Sequence, residues 1–427
     1  MHLDTYEHDA NMNTHTWEKH KYAWARKKHL LRNGRSEYPT LEPLRALRRW
    51  KGITLIMQHH NDVKGKDEQL LIPGSHINKH FMLRALISSG GFGQVYSGVN
   101  VDSGQPVAIK AESMSAKIGL LRIEANCLET LNRSIRQLYT KTPKEPIPNY
   151  YGYGETHSVR YMVMDLCGRN IRELKKSLKE DRFSMTTSLW IMKKMILALR
   201  FLHQLGWIHR DVKPANFCVG LRAEGSQELY LIDFGMARHF IGRNGMVKTR
   251  RESSPFHGTV RYASLTTHYH QDMSRFDDLW SVYYISVENM VGQLPWRYVN
   301  EKKDVEKMKE TIDLLKQKYG EQNKEVLTQE SGPPASLVVL HRHLRQATFY
   351  GEPRYAQISN EIDLDMMQRN FSFGDRLDWQ PLELKANDHN YHTVKYAHRC
   401  GAAYNVDKQE DDDESYYFVE SNAEVIE

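Results

Sequence analysis

The chain has 427 residues, more than one ordinary domain needs, so one large two-lobed domain with flanking arms, or two domains, is the starting expectation. Hydrophobic residues make up 40% and charged residues 26%, near globular averages, which excludes wholesale disorder. The net charge of +6 is unevenly placed: residues 19–51 are rich in Lys and Arg, including Arg26, Lys27, Lys28, Arg48 and Arg49, whereas Asp411, Asp412, Asp413 and Glu414 stand in a row near the other end.

Both ends read as solvated arms. Trp17, Trp24 and Trp50 among the basic residues could suit RNA, an acidic protein surface or anionic lipid, but no nucleic-acid motif accompanies them. A basic extension is the better account, and nucleic acid is not an expected partner. The four cysteines, Cys127, Cys167, Cys218 and Cys400, are too far apart in sequence for a zinc site or a small disulfide framework. The sequence has neither a secretory signal nor an apolar run long enough to span a membrane, so a soluble protein of the cytoplasm, and as a second expectation the nucleus, is anticipated. A monomer is expected.

From about residue 80 to 165, short apolar runs alternate with Gly turns; from about 186 to 320 the patterns are helical. Phe81 to Ile87, Gln94 to Val99, Gln105 to Ala111 and Tyr161 to Leu166 are predicted strands. Leu189, Met192, Ile196, Leu199 and Leu202 mark one buried helical stripe, and Leu279 to Val291, apolar nearly all round, is expected to be a central buried helix. Lys302 to Tyr319 reads as an exposed charged helix, and Gln329 to Ala335 as a loop.

Between the first two strands lies Ser88-Ser89-Gly90-Gly91-Phe92-Gly93-Gln94-Val95, a hairpin whose backbone N–H groups can approach phosphate oxygens. Alone, a structural turn explains it better. The next strand ends in Val107-Ala108-Ile109-Lys110, with Ala108 and Lys110 on one face. Glu124 falls between Leu121 and Leu128 in an apolar helical stripe; a carboxylate there is either solvated at the stripe's edge or paired with a cation, and Lys110 is the natural one. His209-Arg210-Asp211-Val212-Lys213-Pro214-Ala215-Asn216 follows the amphipathic helix and gathers three reactive side chains in one loop. Asp211 can accept or orient a hydroxyl proton, Lys213 can neutralise a transferring phosphoryl group, and Asn216 can hold a metal ion. Leu229 to Ile232 then delivers Asp233-Phe234-Gly235, whose carboxylate suits Mg²⁺ on nucleotide phosphates.

These motifs, in this order over about residues 80 to 379, resemble the protein kinase superfamily. The resemblance implies an α+β, bilobal kinase fold with a strand-rich N-lobe (about 78–166) and a helical C-lobe (about 167–380), flanked by a basic extension (1–77) and an acidic tail (381–427). It implies ATP as phosphate donor and Mg²⁺ as cofactor. Lys213 and Thr259 resemble the serine/threonine pattern. Gly258 to Thr266, Arg275 to Ser281 and Gly292 to Trp296 are similar to the casein kinase 1 group, the last two to its tau-tubulin kinase branch in particular. That similarity implies protein substrates that are acidic, already phosphorylated or cytoskeletal, and activity without activation-loop phosphorylation.

By the same likeness, ATP is expected to lie against Ile87 to Val95, Ala108, Lys110 and Met164, with backbone groups of Asp165 and Leu166 meeting adenine. Asp278 is expected to brace the catalytic loop, and Arg261 to bind an anion. Ser88 stands where the family has its first glycine, which predicts weakened nucleotide binding. Ser264-Leu265-Thr266 departs from the group's Ser-Ile-Asn. Two other readings remain open: a pseudokinase scaffold, and a basic binding module that the fold merely supports.

Overall fold

The computed structural model describes residues 69–90, 93–116, 119–138, 145–221, 227–316 and 333–380, all within the unit Met57–Glu427. The expectations for the two charged ends, for Cys400, and for Gly91 and Phe92 lie outside the described residues.

A five-stranded antiparallel sheet comes first, built from β1 (Phe81–Gly90), β2 (Gly93–Asn100), β3 (Pro106–Ser113), β4 (Tyr150–Glu155) and β5 (Val159–Asp165), in the order β1-β2-β3-β5-β4. Alternation along β3 decides its two faces. Val107, Ile109 and Ala111 bury against Phe81, Leu83, Tyr96 and Val163 on one side. Ala108 turns to the other side, where α1 (Leu120–Leu138) packs its stripe Leu121, Ala125 and Leu128. Leu71 and Ile77, upstream of the expected boundary at 78, are buried in the first of these clusters. The hairpin closes where Gly90 pairs with Gly93. Gly93 has φ +123°, and a Cβ there would stand 2.1 Å from the Ala111 carbonyl oxygen, so glycine is required.

The helical lobe follows: α2 (Ile171–Lys176), α3 (Met185–Gln204), α4 (Leu265–His268), α5 (Arg275–Val291), α6 (Lys302–Thr311), α7 (Ala335–Arg345) and α8 (Tyr355–Gln368). Two short ribbons, β6 (Trp207–Ile208) with β9 (Arg238–His239) and β7 (Phe217–Val219) with β8 (Leu229–Leu231), lie between α3 and α4 in sequence. Ser184 caps α3 by accepting the Thr187 N–H. Ser274 and Asp277 form a capping box on α5, which ends at Gly292 with φ +92°. The predicted central helix is α5: Leu279, Val282, Ile285, Val287 and Met290 are all fully buried.

α6 corrects one expectation. It stops at Thr311 and is not simply exposed, because Val305 and Lys309, four residues apart on one face, are buried. Among the described residues no helix is long and apolar enough to cross a membrane.

Candidate active site

Packing of α1 under β3 brings Glu124, 2% exposed, to Lys110: Nζ to Oε2 is 2.7 Å. The same Nζ lies 3.4 Å from Asp233 Oδ1. Burial alone would lower the Lys110 ammonium, but the Asp233 and Glu124 carboxylates outweigh it and hold it raised. Burial would push Asp233 up, yet Lys110 and Lys213 pull it down to about 2, so it stays ionised. Asp233 adopts φ +65°, an uncommon left-handed conformation for a non-glycine residue. The cleft around this network is lined by Lys110, Leu120, Leu121, Glu124, Asp211, Asp233, Gly235 and Met236.

The loop after β6 is fixed from beneath. Asp278 on α5, 1% exposed, accepts the backbone N–H of His209 on Oδ2 and of Arg210 on Oδ1, both at 2.8 Å, and lies 2.8 Å from His203 Nε2. Arg210 takes φ +69° between these restraints. His209 Nε2 contacts the Ile232 carbonyl at 3.0 Å, joining this loop to the strand end that presents Asp233. Asp211 is thus held where Thr259 Oγ1 donates to its Oδ1 at 2.9 Å and Lys213 Nζ lies 2.9 Å from its Oδ2. Asn216 spends its Nδ2 on the Asp211 carbonyl at 2.9 Å, which turns its Oδ1 elsewhere.

Of the residues expected to meet ATP, Ile87, Ser88, Ser89 and Gly90 are exposed along the end of β1. Ala108 and Met164 are buried, and Val95 and Leu166 pack against the same cluster. Gln94 is buried: its Oε1 accepts the Leu70 N–H at 2.7 Å and the Tyr96 hydroxyl, and its Nε2 donates to Ser89 Oγ at 3.4 Å. The Asp165 N–H donates to the Asn149 carbonyl at 3.0 Å, so this donor is taken. Its carboxylate binds Asn149 and Tyr151.

Arg261 has internal work. Its guanidinium donates to the Arg297 carbonyl at 3.1 Å and lies 3.9 Å from Glu288, a carboxylate 2% exposed. A denser cationic cluster stands elsewhere, and the sequence reading passed over it because its members come from separate segments. Arg238 and Arg251 both pair with buried Asp272, at 2.5 and 2.8 Å. Burial, with Arg238 and Arg251 nearby, pulls Arg210 down to about 9, and burial with the same two residues lowers Lys248. Positive charge therefore exceeds negative charge around this one carboxylate, with the Arg210 guanidinium donating to the Met236 carbonyl at 2.6 Å. The run Lys248, Arg250, Arg251 was the available signal.

The comparisons agree with this geometry. The protein kinase domain matches over residues 81–348. A "Probable serine/threonine-protein kinase" of Dictyostelium discoideum is 34% identical over 307 residues, 72% of this chain and 58% of that protein, so the match spans little more than half of that relative's length. The serine/threonine-protein kinase spe-6 of Caenorhabditis elegans is 28% identical over 296 residues, 69% of this chain and 74% of the relative. A "Putative casein kinase I" of the same worm is 31% identical over 255 residues, 60% of this chain and 72% of the relative. With its bilobal α+β fold and this extent of likeness, the chain belongs to the protein kinase family.

Proposed function

We propose that the protein transfers the γ-phosphate of ATP to serine or threonine of protein substrates, as a kinase of the casein kinase 1 type. The observation that carries this is the meeting of Asp211, held by Lys213 and Thr259, with the Lys110–Glu124–Asp233 network in one cleft. Asp211 orients the substrate hydroxyl and accepts its proton, while Thr259 on Oδ1 and Lys213 on Oδ2 hold the carboxylate in place. Lys213 offsets charge on the phosphoryl group in transfer, and Lys110, steadied by Glu124, grips the α and β phosphates.

Asp233, held ionised, and the Asn216 amide oxygen form an all-oxygen donor pair of the kind Mg²⁺ takes. Bound there, the metal would neutralise charge on the phosphates. Three segments similar to the casein kinase 1 group and the 31% identical worm relative support the finer assignment. The cluster of Arg210, Arg238, Lys248 and Arg251 supports a preference for acidic or already phosphorylated substrates, since guanidinium pairs bidentately with phosphate.

The test is transfer of labelled phosphate from Mg-ATP to arrays of Ser, Thr and Tyr peptides with neutral, acidic or phosphorylated flanks. Labelling of Ser and Thr peptides, strongest with acidic or phosphorylated flanks, is expected. Absence of transfer to any peptide, with Mg-ATP still bound, would favour the scaffold reading.

A further inference from the structure

Just beyond Thr259, four consecutive backbone carbonyls are each met by a side chain from elsewhere in the helical lobe. Lys309 Nζ on α6 donates to the carbonyls of Val260 at 2.6 Å and Ala263 at 2.7 Å. Trp296 Nε1 donates to the Arg261 carbonyl at 2.9 Å, and Ser281 Oγ on α5 to that of Tyr262 at 2.8 Å. From within the strip, the N–H groups of Tyr262 and Ala263 both return to the Thr259 carbonyl at 2.9 Å. The strip is therefore held in one conformation by donors that lie 19 to 49 residues away in sequence.

Lys309 makes two of these four bonds and is only 7% exposed. Its Nζ lies 5.0 Å and 5.4 Å from the ring centroids of Tyr284 and Trp296, and 3.2 Å from His268 Nε2. Burial pushes it well below the usual lysine range. In either protonation state two N–H bonds remain for the two carbonyls; His268 Nε2 accepts from an ammonium or donates to an amine. Among the described residues no carboxylate pairs with it. A methionine would fill the same space without desolvating an amino group, but would leave the Val260 and Ala263 carbonyls without this donor, so the lysine's place here is explained by those two bonds. What the lysine adds is control of the backbone immediately after Thr259, the residue that donates to Asp211 Oδ1 at 2.9 Å.

We propose that Lys309 is a positioning residue: through the Val260 and Ala263 carbonyls it fixes residues 260–263 as the ledge on which a protein substrate's backbone lies beside Asp211. This rests on the reading of Asp211 as the group that meets the substrate hydroxyl. The ledge is separate from the Lys110–Glu124–Asp233 network, so the proposal separates peptide from nucleotide.

The test uses the full chain with Lys309→Met, Lys309→Arg and Ser281→Ala. Michaelis constants are measured for a peptide substrate and for ATP, alongside calorimetric titration of Mg-ATP. Lys309→Met should raise the peptide KM by about tenfold or more, because misplacing a positioning group by a fraction of an ångström is costly. Its ATP KM and Mg-ATP affinity should stay within about twofold of wild type. Lys309→Arg, which keeps donors, should recover part of the loss. Ser281→Ala should move the peptide KM in the same direction by less, and decides the matter if Lys309→Met does not fold. A wild-type peptide KM in the folded variants, or losses of ATP and peptide affinity in equal proportion, would overturn the proposal. If Asp211→Asn kept full turnover, the catalytic reading would fall instead, whatever Lys309 did.

Discussion

Asp278→Asn offers a sharp test of how the loop bearing Asp211 is held. The carboxylate is 1% exposed and accepts two loop N–H groups at 2.8 Å, one on each oxygen, with His203 Nε2 at 2.8 Å as a third partner. An asparagine keeps the shape but has one acceptor oxygen. Whichever way the amide turns, either His209 N–H or Arg210 N–H meets an NH₂ group and is left buried without an acceptor. One lost charge-assisted bond is worth about 1.5–3 kcal/mol and an unsatisfied buried donor costs about 1–3 kcal/mol. The expected destabilisation is about 3–5 kcal/mol, the range seen when one partner of a buried pair is removed. Arg210, at φ +69°, then loses a restraint next to Asp211. Turnover should fall about a hundredfold through misplacement of that carboxylate. Mg-ATP affinity should hold within about threefold, because Lys110 and Glu124 are positioned by other elements and Asp233 keeps its contact with Lys110. Urea unfolding, single-turnover phosphate transfer and calorimetric titration read these three quantities. A loss of stability under about 1 kcal/mol together with wild-type turnover would refute the bracing role.

Ser88→Gly should change the ATP KM by less than about twofold. Ser88 is exposed, pairs with Val95 in the β1–β2 ladder and is not among the positive-φ residues, so a glycine has no strain to relieve there; a tenfold tightening would show that its Cβ does hinder the phosphates. Phosphatase-treated protein should keep its activity, because Asp272 already ties Arg238 and Arg251 together; abolished activity would mean that a phosphate completes that cluster. Stability should fall as pH drops from about 6.5 toward 4. Burial, aided by Arg210, holds His257 down at about 4; burial, aided by Lys309, holds His268 down at about 2. Above pH 6.5 both states are neutral. Below it the unfolded chain takes up protons first, so each such histidine costs up to about 1.4 kcal/mol per pH unit. A melting temperature unchanged between pH 7 and 5 would contradict this.

The residues proposed to react could be picked out because short motifs carry them: Lys110 ends an alternating strand, Glu124 interrupts an apolar stripe, and Asp211 and Asp233 follow recognisable runs. Other features depend on how distant segments fold together. β4 escaped notice because Tyr150 to Glu155 alternates tyrosine with glycine, is irregular at Tyr150/Gly152 and gives no apolar face. Lys309 was hidden in a run of charges, although its spacing of four from Val305 was a usable sign that it shares the buried face. The pairing of Arg238 with Arg251 through Asp272 joins β9 to the loops before α4 and α5, which no local pattern announces. Arg261 looked like a free cation because nothing near it in sequence signals that Glu288, on the buried face of α5, lies within reach.

The central claim is that Asp211 acts on the substrate hydroxyl while Asp233 acts through metal, and a paired measurement on Asp211→Asn and Asp233→Asn tests it. Calorimetric titration of Mg-ATP is run beside single-turnover phosphorylation of a casein-like substrate. Asp211→Asn should bind Mg-ATP as wild type does and lose about a hundredfold or more in turnover, since its amide cannot accept the proton. Asp233→Asn should lose both Mg-ATP affinity and turnover. Phosphorylation by Asp211→Asn at the wild-type rate would contradict the assignment and leave a kinase fold without the chemistry ascribed to it.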